Sequence, residues 1–105
     1  MSGSGGGSGG TNFEPVKDCG SISFNIDINS PQEHAMEGLE AQDKLDVVLS
    51  NNMVVVVRQD TGDMLGSINW SSIARLIECL GDGFEYVAVV RAIQDGLIKV
   101  HISAK

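Results

Sequence analysis

Between residues 21 and 29 the chain alternates without a fault: Ile22, Phe24, Ile26 and Ile28 are separated by Ser23, Asn25 and Asp27. Successive side chains of an extended strand point to opposite faces, so this spacing puts four apolar groups on one side and three polar groups on the other. A strand of that kind is buried on one face and wet on the other, the pattern of an antiparallel sheet or barrel.

The signal recurs along the chain. Residues 44–50 place Leu45, Val47 and Leu49 on one face. Asn51-Asn52 is a turn, because Asn tolerates the left-handed conformation. Residues 53–57, Met and four valines, read as a strand buried on both sides and complete a hairpin. Gln59-Asp60-Thr61-Gly62-Asp63 forms the next turn, and residues 64–69 return as a short strand in which Gly66 marks a bulge or a close backbone approach. Residues 84–93 and 97–103 flank Asp95-Gly96, a strong hairpin signal. In the second of these strands Ile98, Val100 and Ile102 share one face, with Lys99, His101 and Ser103 on the other.

Two segments follow the helical period instead. In residues 71–80, Ile73, Leu76, Ile77 and Leu80 form one apolar stripe, with Ser71 or Asn69 as cap and Gly81 and Gly83 as the stop. Ser30-Pro31-Gln32-Glu33 starts a short helix over residues 32–39, which Gly38 limits to one or two turns. Two helices cannot cover six short strands, so the sheet must curl to bury itself. The expected class is mainly β (α+β): a small six-stranded OB-like or SH3-like barrel, the main helix plugging one end or crossing between two strands. Residues 1–10, all Met, Ser and Gly, are set apart as a coil, either a native leader or an added linker. Residues 11–20 are an arm or loop, and residues 21–105 form one domain.

With 42% apolar residues the chain can build a core, and its net charge of -7 argues against strong binding to duplex DNA or to an anionic membrane. No apolar run approaches a membrane span, and the first residues lack the pattern of a secretory signal, so a cytoplasmic location is expected. In that reducing setting Cys19 and Cys79 read as structural free thiols, Cys79 as a small buried hydrophobe.

Catalytic patterns are thin. Asp60-Thr61-Gly62 matches the three-residue motif of aspartic proteases, but Arg58-Gln59 precede it in place of an apolar strand end, and it reads as a turn. Cys19, His34, Cys79 and His101 lack zinc spacing, no Ser sits in a nucleophile elbow, and Gly81-Asp82-Gly83 ends a helix where a phosphate loop would start one. Neither an enzyme, a cofactor nor a metal is therefore expected. For single-stranded nucleic acid the supply is Trp70, Tyr86, Phe13, Phe24 and Phe84, with Arg58, Arg75, Arg91 and Lys99. Trp70 stands at a loop position before the helix and is expected to be exposed. Arg91 and Lys99 fall across the Asp95-Gly96 hairpin, forming a small positive patch or pairing with Glu85 and Asp95. The candidate ligand-binding residues are Trp70, Arg91, Lys99 and Arg58, and Trp70→Ala is expected to weaken binding more than stability.

Three stretches, residues 52–57, 62–68 and 83–90, follow the order Asn turn, valine strand, Gly-x-x-Leu-Gly-x-Ile, helix, Gly-x-x-Tyr-x-Ala-x-Val. In this the chain resembles the HIRAN domain. As a whole it also resembles small bacterial proteins with a glycine-rich leader. The HIRAN resemblance implies an OB-like barrel and, as in DNA-repair translocases, recognition of an exposed single-stranded DNA end. The family's Asn-Pro-Tyr-Asp turn is here Leu49-Ser50-Asn51-Asn52, and the aromatic residue after its Gly is Ser67, so the resemblance implies the fold without the aromatic pocket. The expected function is a binding module for a protein partner, engaged through a sheet edge or the Trp70 region. The alternative is binding of single-stranded DNA or its 3′ end.

Overall fold

The computed structural model describes residues 18–105. The Met/Ser/Gly segment, Phe13 and most of the expected arm lie outside the described residues. Six strands form one sheet: β1 (Ser23–Asp27), β2 (Lys44–Ser50), β3 (Met53–Arg58), β4 (Met64–Ser67), β5 (Tyr86–Gln94) and β6 (Leu97–Ala104). The spatial order is β1-β6-β5-β2-β3-β4, and every pairing is antiparallel. The sheet curls into a half-barrel, as its alternating patterns require. Inward-facing Leu45, Val54, Val56, Leu65, Tyr86, Ala88, Val90, Ile98, Val100 and Ile102 are essentially sealed from solvent. The valine run of β3 is buried on both faces at its centre, where Val54, Val55 and Val56 are all buried.

The two edges of the curled sheet meet beyond β1. Asn29 N–H donates to the Ser67 carbonyl at 2.8 Å, Ser67 N–H returns a bond to the Asn29 carbonyl at 3.1 Å, and Gln32 N–H donates to the Leu65 carbonyl at 2.7 Å. Gly66 makes this closure possible. A Cβ there would drive into the Ile28 side chain and come within 2.8 Å of the Asn29 carbonyl oxygen. Both readings of Gly66 are realised, since the β3–β4 register also shifts beside it, between Val56 and Val57.

Helix α1 (Ile73–Gly81) packs against β2 and β3 at the end of the half-barrel. Leu76 and Cys79 are buried, while Ile73, Ile77 and Leu80 are half-buried against the core. Gly83, at φ +97°, carries the chain out of the helix in the left-handed region that favours glycine. The short helix expected over residues 32–39 is instead a single 3-10 turn, Glu33–Met36. Gln32 is extended and gives its N–H to β4, and no side chain caps the turn, so the backbone is held by the sheet before a helix can start.

The expectation of free thiols is overturned, because Cys19 and Cys79 form a disulfide. A 3-10 turn, Cys19–Ser21, seats Cys19 over the buried stripe of α1, bringing the two Cα atoms to 5.7 Å, within bridging range. The Tyr86 hydroxyl donates to the Cys19 carbonyl at 2.7 Å and fixes the same turn from below. The bridge closes a loop across a sequence separation of 60. Replacing both cysteines by Ala should lower stability by about 4 kcal/mol on the chain-entropy relation, measured by urea unfolding. A variant within experimental error of the parent would show that the bridge contributes nothing.

Candidate functional site

β1 is the edge strand that presents polar groups. Ile28 N–H donates to the Ile98 carbonyl at 2.9 Å, in register with the Ile26–Val100 and Phe24–Ile102 pairs. Hydrogen-bonded pairs alternate along an antiparallel ladder, so the even-numbered residues bond to β6 while the N–H and C=O groups of Ser23, Asn25 and Asp27 point off the sheet edge. Among the described residues no further backbone partner takes them up. The opposite edge, β4, is occupied by Asn29 and Gln32. Among the described residues, the curled sheet thus has its open edge at β1.

Ser23, Asn25 and Asp27 also share the outer face of β1 with Lys99, His101 and Ser103 of β6. His101 stands directly opposite Asn25, whose Oδ1 lies 2.9 Å from Nδ1 of the imidazole. On the other side of the ring, Nε2 lies 3.0 Å from the Ser23 hydroxyl. Lys99 pairs with Asp27 at 3.9 Å, in place of the Glu85 and Asp95 partners expected from the sequence. Both side chains are about half exposed, 54% and 53%, so the pair is screened and contributes little stability. Beside it, Asp27, Ala92, Gln94, Asp95, Leu97 and Lys99 line a recess of about 340 Å³.

The residues chosen from the sequence do not converge. Arg91 and Lys99 are not paired across the hairpin, because the register shifts so that Ala92 faces Lys99 and Arg91 becomes the extra, exposed residue of a bulge. Trp70 is half-buried, its ring stacked on Phe24 with centroids 3.7 Å apart and planes 7° from parallel. Arg58 is buried and its donors are engaged. Nη1 donates to the Ala35 and Glu37 carbonyls at 3.0 and 2.6 Å, while Nε and Nη2 hold both oxygens of Asp60 at 3.1 and 2.9 Å. The guanidinium ties the 33–37 turn and the Asp60-Thr61-Gly62 turn to the end of β3, so that Asp-Thr-Gly serves as an anchored turn. Tyr86 is buried, which raises its pKa, leaving Phe84 as the large exposed aromatic among the described residues. Nor do three His, Cys, Asp or Glu side chains cluster there to hold a metal.

Ser23, Asn25 and His101 were missed as a group. The signal for them was the shared polar face of two alternating strands, but what joins residues 76 and 78 positions apart is strand pairing. No family model, curated protein or solved structure matches this chain.

Two outcomes follow. Trp70→Ala should now cost stability first, by about 2–3 kcal/mol from lost burial and stacking; urea melts with a midpoint equal to the parent's would contradict the stack. The Arg58 hydrogen bond holds the Asp60 carboxyl below its ordinary value of 3.8. A carboxyl depressed on folding stabilises above that value and loses its contribution as pH falls through the folded pKa. Asp60→Asn should therefore be less stable than the parent at neutral pH, with the gap closing below about pH 4; a gap independent of pH would discount the pair.

Proposed function

We propose that this domain is a small binding module that takes up an extended segment of a protein partner along the open edge of β1. The observation that carries this reading is the outward N–H and C=O groups of Ser23, Asn25 and Asp27, on a sheet whose other edge is occupied. An added strand would satisfy those groups, which is how β-augmentation gains affinity. Charge gives the partner's character. A chain of net charge -7, with Asp95 beside the Asp27–Lys99 pair in the recess at one end of β1, favours a segment carrying Lys or Arg, and exposed Leu97 in the same recess offers an apolar contact.

The HIRAN-like alternative, binding of single-stranded DNA or its 3′ end, has less support. Stacking platforms are what such a site needs, and Trp70 and Phe24 stack on each other while Tyr86 is buried. As to place, no helix among the described residues is long and apolar enough to cross a membrane. The cytoplasmic location expected from the sequence fits poorly with the Cys19–Cys79 disulfide, and an oxidising compartment suits that bridge better.

The edge reading is tested with Asn25→Pro. Proline at this position removes an outward N–H while leaving the β1–β6 ladder bonds in place. Short peptides selected from a displayed random library would be titrated against both proteins by calorimetry, with thermal melts confirming the fold. A loss of about tenfold or more in affinity is expected. Equal affinity in a folded variant would rule out the β1 edge. Salt-sensitive binding of a 3′-ended single strand, with no peptide selected, would favour the nucleic-acid alternative.

A further inference from the structure

We infer that Ser23, His101 and Asn25 form an acyl-transfer site on the outer face of β1 and β6, acting on carboxylic esters with a short apolar acyl group. The geometry is that of a nucleophile, a base and an orienting group in line. Asn25 Oδ1 at 2.9 Å accepts the Nδ1 proton, which sets the tautomer and leaves Nε2 as the acceptor, 3.0 Å from the Ser23 hydroxyl. The backbone makes the arrangement stiff. The backbones of Asn25 and His101 face each other without exchanging hydrogen bonds, the kind of pair that brings side chains closest, and Ser23 sits diagonally beside it on the same face.

Two further features suit this chemistry. The Ser23 N–H belongs to the group that points off the sheet edge and has no backbone partner among the described residues, so the nucleophile's own amide can serve an oxyanion. On the other flank of the imidazole, β5 places half-buried Val89 directly opposite His101, and Val87 opposite Ser103. Those two valines are the apolar side chains on that flank against which a short acyl group would lie, with the alcohol portion left on the open face. The inference shares the Ser23 amide with peptide capture at the β1 edge, but the nucleophile, base and orienting side chains lie on the outer face and do not depend on that capture.

The reaction closes on water alone. The Ser23 hydroxyl oxygen bonds to the ester carbonyl carbon while its proton passes to His101 Nε2, and the carbonyl electron pair moves onto oxygen. As that pair returns, the bond to the leaving oxygen breaks and Nε2 gives it the proton, releasing the alcohol and leaving an acyl-serine. Water then attacks the acyl carbon as Nε2 takes its proton. Collapse of that adduct breaks the bond to Ser23, whose oxygen recovers the proton, and the carboxylic acid departs.

A fluorophosphonate probe tests this on the full chain, because the same Ser23 oxygen would displace fluoride from phosphorus. Peptide mapping by mass spectrometry locates the adduct. The expected result is labelling at Ser23, absent in Ser23→Ala, about a hundredfold slower in His101→Gln, and unchanged in Ser103→Ala, which alters a neighbouring serine. Turnover of p-nitrophenyl acetate should fall in the same order. Asn25→Ala gives a second variant should His101→Gln fail to fold, and it should slow labelling by at least about tenfold by freeing the imidazole. An adduct spread evenly over surface residues, or a Ser23 rate indifferent to His101 and Asn25, would reduce the three side chains to a cross-strand polar contact.

Discussion

Asn29 and Ser67 exchange two backbone hydrogen bonds across the seam of the curled sheet, and the character of both edges follows from that contact. It can form only because Gly66 presents a bare Cα to Ile28 and Asn29. With Asn29 and Gln32 laid along β4, that edge has partners, and among the described residues the polar edge is that of β1. A larger residue at Gly66 would push the seam apart and leave two edges in place of one, the arrangement most prone to edge-to-edge aggregation.

The same economy governs the charged residues. Arg58 looks from the sequence like a cation at the end of a strand, available to a ligand. Folding surrounds it with two carbonyls and a carboxylate, so its charge is met inside the molecule. Burying a guanidinium is tolerable only when its donors are satisfied, and once satisfied they no longer recruit a partner. Lys99 and Lys105 are similarly drawn to Asp27, Asp46 and Glu85, though in water these contacts are weak. The positive charge these residues would offer at the surface is correspondingly reduced, which agrees with the net charge.

The polar face of β1 and β6 unites the two functional readings. Its outward backbone groups suit an added strand, and its side chains place a hydroxyl, an imidazole and an amide in line. Both properties arise because β1 lies at the margin of the sheet, where one side of its backbone has no neighbour among the described residues while its outer side chains have β6 beside them. A central strand would offer the side chains without the free amides.

The period-two alternation of residues 21–29 and 97–103, the valine run of β3 and the Asp95-Gly96 turn were enough to determine a mainly β domain with one main helix. Each is a local signal, set by side-chain direction and turn conformation, and each survives folding unchanged. Gly66 was legible as a place of close approach, though not what approaches it. The short helix tightens to one 3-10 turn because its Ser-Pro-Gln-Glu start obeys local capping rules that the Gln32–Leu65 bond overrides. The Cys19–Cys79 bridge, the stacking of Trp70 on Phe24, the bulge at Arg91 and the Ser23–His101–Asn25 alignment were decided by tertiary structure. All four depend on register and on distances between residues far apart in the chain, and a sequence of faces and turns carries no information about which residue of one strand lies opposite which residue of another.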